Sequence, residues 1–299
     1  MNITVVGSVG LDTITTPLGK VEDALGGSAG HFAVTASNFA PVHLVAVVGE
    51  DFPKEHLELF KARGIDVRGL QIVPGRTFRW TGYYSTDFHT RETLETQLNV
   101  FEGFDPVLPE DCRQTPLVFL ANIHPRLQLK VLEQVDRPRL VLGDTMNFWI
   151  ESDREGLLEV IKKLDVFLLS DSEVEELCET HDLMKAARQL LEMGPDRVII
   201  KKGPHGALMV SQTDVFSVPA FSDVKVVDPT GAGDSFAGGF FGSIARYQDF
   251  TDLGFRRAVA FGCVMGAFNV EGFSLDRTRD LEMTEIFQRY ENLRQLTVY

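Results

Sequence analysis

Cysteine is scarce in this 299-residue chain: Cys112, Cys178 and Cys263 stand far apart and without C-x-x-C spacing. That excludes a disulfide scaffold and a cysteine-held zinc site, and it suits a reducing, cytoplasmic compartment. Basic residues are in deficit, 29 Lys and Arg against 43 Asp and Glu, for a formal net charge of −14. A broad cationic surface for nucleic acid or an anionic membrane is therefore not expected. No apolar run reaches the ~20 residues of a membrane span. The nearest, 258–270, carries Ala258, Ala260, Gly262 and Gly266 and ends beside Asn269 and Glu271. Met1-Asn2 leads straight into Ile3–Val6 with no basic segment, so no signal peptide is expected. Apart from His31, the histidines have no ligand spacing, which argues against a protein-held transition metal. Neither G-x-x-x-x-G-K-[ST] nor G-x-G-x-x-G occurs, so P-loop and dinucleotide-binding readings lose their main support.

What is present is globular material. Hydrophobic residues make up 44% of the chain and charged residues 24%, enough for a large core. Strands are expected at 3–9, 44–48, 117–121, 140–142, 166–169, 198–201, 207–210 and 215–218. Several are apolar at consecutive positions, as strands buried on both faces are. Helices are expected between them at 28–39, 54–63, 127–135, 154–164, 173–180, 183–192, 232–247, 253–268 and 280–293. The alternation predicts an α/β fold with a mostly parallel central sheet and helices on both faces. Residues 76–101 break the rhythm: rich in Thr and aromatics, they read as antiparallel strands inserted into the α/β body. With no repeat, linker or low-complexity tract, a single domain over 1–299 is expected.

The strongest chemical signal is Asp228-Pro229-Thr230-Gly231-Ala232-Gly233-Asp234-Ser235-Phe236. A β-branched run, 224–227, stops at a proline, small residues follow, and an apolar helix begins at once. Unpaired N–H groups at that helix start let Gly231, Ala232 and Gly233 aim donors at an anion. Asp234 then sits in the first turn, where a carboxylate can take the proton of an attacking hydroxyl. A plain Gly-rich turn with Asp234 as a helix-start charge explains the residues equally well.

All nine positions match the signature of the ribokinase-like (PfkB) carbohydrate kinase family, which this segment closely resembles. Gly26-Gly27-Ser28-Ala29-Gly30 resembles that family's other glycine motif, and element order and length agree from end to end. The resemblance implies a ribokinase-like three-layer sandwich with a small β lid formed mainly by 76–101. It also implies an ATP-dependent kinase for a primary hydroxyl of a nucleoside or sugar, using Mg²⁺, with K⁺ a further candidate cofactor. Asp234 corresponds to the catalytic base, and Gly231, Ala232 and Gly233 to the anion hole. Asp12 corresponds to a ligand of substrate hydroxyls, and Gly26 and Gly27 to the pair that lets the backbone close on the sugar. His31 stands where the family usually has a sugar-binding Asn. In Ser170-Asp171-Ser172-Glu173 the family's N-x-x-E element keeps its Glu, so Glu173 is expected to hold Mg²⁺ through water. Lys202, Gly203 and Gly206 fall in the family's turn under ATP, and Asn269 near its adenine contacts. Asn147 ends a D-x-N element near the substrate.

As plain residues, Asp12 is also a turn or cap, Ser28 a helix cap, His31 a packed helix residue and 170–176 a helix-start charge cluster. Phe78, Trp80, Tyr83 and Phe88 would give the lid one apolar face, turned to the substrate or to a second subunit in a homodimer. An ordinary sheet core explains the same pattern. Aromatic crowding around His31 and Trp80 suits a nucleobase and favours a nucleoside over a free sugar or sugar acid. A non-catalytic sensor on the same fold is the rival, and the intact Asp234 argues against it.

Overall fold

The computed structural model describes residues 1–88 and 90–297, so position 89 of the expected lid and the last two positions of the expected domain lie outside it. In chain order the strands are β1 (Ile3–Val6), β2 (Gly10–Thr16), β3 (Gly19–Gly26), β4 (Val42–Gly49), β5 (Asp66–Val73), β6 (Phe78–Tyr84) and β7 (Arg91–Gln97). They continue with β8 (Leu117–Leu120), β9 (Leu140–Asp144), β10 (Val166–Ser170), β11 (Arg197–Lys201), β12 (Ala207–Ser211) and β13 (Val215–Val218).

The apolar runs build one nine-stranded sheet in the order β13-β12-β11-β10-β9-β8-β1-β4-β5. From β5 through β11 every pairing is parallel, and β12 and β13 close the edge antiparallel. The two-residue period of a strand explains why both faces are apolar. Val166 and Leu168 of β10 enter one core with Phe32, Phe240 and Phe261, while Phe167 and Leu169 enter the other with Leu157 and Leu190. Helices therefore cover both faces. Strand order reverses around β1, and in such sheets the crevice outside the strands' C-terminal ends is where ligands bind.

The second sheet, β3-β2-β6-β7, stands apart from the first. Residues 76–101 supply only two of its strands; β2 and β3 come from 10–26, where the sequence predicts none. Their alternation is short and broken by Pro17, Gly19 and the irregular step between Asp12 and Ile14. β5 was also unanticipated. Conversely, 224–227 forms no strand: Val227 and Asp228 instead donate their N–H groups to the carbonyl of Val270 at 2.7 and 3.3 Å.

Candidate active site

A cleft of about 790 Å³ lies between the C-terminal ends of the parallel strands and the small sheet. Ser8, Asn122, Asp144 and Lys201 reach it from the ends of β1, β8, β9 and β11, and Glu173 from the helix after β10. The small sheet contributes Asp12, Phe78, Trp80 and Tyr84. Alternation puts residues 78, 80, 82 and 84 on one face. Tyr83 therefore points away and is 40% exposed, and Tyr84 takes the cleft position expected of it.

Helix Ala232–Tyr247 begins at the cleft with Gly231 as its cap, at φ +75°. The amide of Ala232 is turned back onto the carbonyl of Pro229 at 3.2 Å, whereas those of Gly231 and Gly233 have no partner among the described residues. Gly233 faces Lys201, whose Nζ would lie 3.1 Å from an added Cβ. Asp234 is half-buried at the same wall. Burial, helped by Asp144 and Glu173 and opposed by Lys201, pushes its carboxyl up to about 7.

Lys201 is the cation that holds this corner together. Its ammonium lies 3.1 and 3.3 Å from the two oxygens of Asp144. Burial works against its charge, but Asp144, Glu173 and Asp234 outweigh it and hold it above the usual lysine range. Desolvation raises Glu173 as well, and its Oε2 accepts the Ser170 N–H in a capping box at 2.6 Å. Ser170 thus has a local structural role where the family's Asn would be.

Asp12 is 4% exposed and seated against Gly26, where an added Cβ would stand 2.0 Å from Oδ2. Burial, with Asp228 and Asp234 nearby, raises its carboxyl to about 8. Gly27, at φ +87°, packs on the Ser8 carbonyl and lines the cleft. The glycine pair thus makes close approach to the protein's own strands.

His31 lines the cleft and lies directly under Gly231, where an added Cβ would stand 2.3 Å from its ring. Asn269 explains its state. The Asn269 amide nitrogen donates to the Thr230 carbonyl at 2.7 Å, which fixes its oxygen as the acceptor for Ser235 Oγ at 2.8 Å. His31 Nδ1, 3.2 Å from that oxygen, must therefore carry the hydrogen, and Nε2 is left as a buried lone pair without a partner. Burial lowers the ring to about 4, so it is neutral at pH 7. Thr230 also donates its hydroxyl to Tyr84 at 3.2 Å, tying the small sheet to the turn.

Other expected site residues stand outside the cleft. Asn269 is fully buried beneath the glycine turn. Asn147 is turned to Glu176 on the neighbouring helix. Lys202, Gly203 and Gly206 form the tight turn after β11, with Gly203 and Gly206 at φ +49° and +85°.

A model of the pfkB family of carbohydrate kinases matches residues 2–278. The chain belongs to that family. Kinases of the family are phosphotransferases that act on hydroxyl groups. A cytidine kinase from Thermococcus kodakarensis is 29% identical over 265 residues, covering 86% of this chain and 95% of that one. Among solved structures, the nucleoside kinase of Methanocaldococcus jannaschii, described as an archaeal member of the ribokinase family, superposes with a TM-score of 0.80. It is 22% identical and covers 97% of this chain and 98% of its own. An E. coli protein described as a ribokinase II, solved with ATP and Mg²⁺, also reaches 0.80 at 20% identity, with coverage of 97% and 99%. The pfkB chain described here therefore has the ribokinase-like α/β fold with its separate small sheet.

Several cleft residues, among them Arg91, Asn122 and Trp149, carry no signal in the sequence, and two more show why. Lys201 was passed over for Lys202, although the last residue of a buried parallel strand is the one that reaches the crevice. Tyr84 was hidden by the neighbouring Tyr83, and only the register of β6 separates them.

Proposed function

We propose that this chain is an ATP- and Mg²⁺-dependent nucleoside kinase. The observation that carries the reading is Asp234, raised to about 7, beside two unpartnered amides at a helix start and opposite the aromatic small-sheet wall. Its relatives, a cytidine kinase and a nucleoside kinase, favour a nucleoside over a free sugar.

The residues present fit a magnesium nucleotide. The two free amides and Lys201 suit phosphate oxygens, and three carboxylates around one lysine leave negative charge for a divalent ion to offset. Bound there, Mg²⁺–ATP supplies the phosphoryl group and much of its charge neutralisation. The amides of Gly231 and Gly233 donate to phosphate oxygens at the positive end of the helix. Lys201 holds Asp144 and the phosphates in register. Glu173, tied at Ser170 by one oxygen, would hold the ion through water by the other. Asp234 accepts the proton of the primary hydroxyl as it attacks. Asp12 and His31 line the place of the other sugar hydroxyls, and the Trp80 face covers the base. Lys202, Gly203 and Gly206 flank the nucleotide. A monovalent cation such as K⁺ belongs to the reading, because Asp228 is fully buried, accepts the backbone N–H groups of Thr230 and Ser274 and has no ion pair among the described residues.

The three free thiols and net charge of −14 support a cytoplasmic protein that does not bind nucleic acid, and no described helix is long and apolar enough to cross a membrane. Exposed Tyr83 and Leu94 on β6 and β7 support pairing of two copies through the lid. The deciding assay is ADP release with nucleosides, free sugars and no acceptor. Asp234→Asn is expected to stay folded and bind ATP while kcat falls by at least ~10²-fold; near-normal turnover in that variant would sink the mechanism.

A further inference from the structure

The cleft face of the small sheet carries a positive charge that the proposed chemistry leaves idle. Arg91 opens β7 directly across from Tyr84 and lines the cleft. Arg79, on the opposite face of the same sheet, is paired with Asp23 and Asp51, whereas Arg91 makes no ion pair among the described residues. Beside it the indole of Trp80 covers Gly82, where an added Cβ would stand 2.0 Å from the ring. The indole N–H donates to Thr93 at 3.2 Å, which fixes the ring's rotation. The Arg91 guanidinium carbon stands 5.9 Å from the ring centre, at the outer limit of a cation–π contact. A planar face and a planar fork of donors are thus held together on one wall, the fork standing above the ring.

We infer that Arg91 reads the edge of a base stacked on Trp80 and selects bases with two acceptor atoms side by side. The inference rests on the nucleoside-kinase reading and deepens it. A guanidinium only donates, and its fork matches two adjacent acceptors. Cytosine offers O2 and N3, and guanine offers O6 and N7. Uracil sets an N–H between its carbonyls, and adenine sets an amino group beside its ring acceptors, so either faces the fork with a donor and leaves one partner unsatisfied. A carboxylate on a sugar acid would also pair with the fork but has no plane to lay on the indole.

The test is kcat/KM for cytidine, guanosine, uridine, adenosine, ribose and a six-carbon sugar acid, on the full chain and on Arg91→Ala and Arg91→Lys. The unmodified enzyme is expected to favour cytidine or guanosine, and the two arms show which edge is read. Arg91→Ala should lower that preferred value about 10- to 100-fold, mainly through KM, and leave uridine and adenosine within about twofold. Arg91→Lys, which keeps the charge and loses the fork, should recover little of it. Because Arg91 is exposed, the melting temperature should not move. Nucleoside turnover that Arg91→Ala leaves unchanged, or lowers equally for every acceptor, overturns the inference alone. Loss confined to the sugar acid assigns the fork to an anion and also overturns it. An enzyme that phosphorylates ribose and no nucleoside overturns both this inference and the reading beneath it.

Discussion

Alanine at Gly231 and alanine at Gly233 should fail in opposite ways, although the two glycines are neighbours in one turn. Gly231 sits at φ +75°, which costs a residue with a Cβ ~1–2 kcal/mol. The new methyl would also stand 2.3 Å from a His31 ring that is 1% exposed and pinned to Asn269. Overpacking of that kind costs a further ~1–3 kcal/mol. Together these give ~2–5 kcal/mol, or a drop in Tm of roughly 4–10 °C for a chain of this size. Gly233 has ordinary helical φ, and its methyl would meet only the end of Lys201, at 3.1 Å from Nζ. Stability should therefore change by less than ~0.5 kcal/mol. Turnover should nevertheless fall by ~10-fold or more, because the methyl pushes the ammonium back by a few tenths of an ångström and crowds the free amide where phosphate would sit. Melting curves and ADP release on the two variants decide it. Equal melting temperatures, or a Gly233→Ala enzyme as fast as the parent, would refute the reasoning.

The remaining expectations concern pH and metal. As the proposed base, Asp234 would work only when ionised, so kcat/KM should rise with pH and level off above about 7, and a profile flat from pH 5 to 8 would count against it. Asp12, raised to about 8 by burial and its acidic neighbours, keeps a proton in the folded state that the unfolded chain has already released. Its contribution to stability therefore falls as pH rises between the unfolded and folded values. At pH 6.5 His31 is neutral in the folded state and half protonated in the unfolded chain, a residual gain of only ~0.4 kcal/mol up to pH 8, so the Asp12 loss of ~2 kcal/mol between pH 6.5 and 8 should dominate. Urea unfolding of the ligand-free protein at the two pH values measures it, and a more stable protein at pH 8 contradicts it. EDTA should abolish turnover reversibly without shifting Tm, since the described residues include no His, Cys, Asp or Glu trio placed to hold an ion. Stoichiometric zinc in the purified protein would show otherwise.

Local chemistry made much of this protein readable from residue order. Runs such as Val166–Leu169 leave no polar face, so they had to be strands buried on both sides. The DPTGAGDSF segment combines a chain reversal, small residues and a carboxylate at a helix start, and that combination carried the resemblance to the family and pointed to the corner of the cleft proposed as catalytic. Register and long-range pairing were beyond it. Strand β2, which carries β3 on its other edge, pairs with the distant β6, Gly10 opposite Phe78, and its weak alternation does not announce that partner. Tyr84 rather than Tyr83, and Lys201 rather than Lys202, face the cleft because a one-residue step turns a side chain to the other side of its sheet. Asn269 resembled a nucleotide contact, but burial gives it three protein partners beneath the glycine turn, and it sets the tautomer of His31. Residue types limited which chemistry was available; tertiary packing decided which groups lost water, and so which carboxylates hold their protons near neutrality.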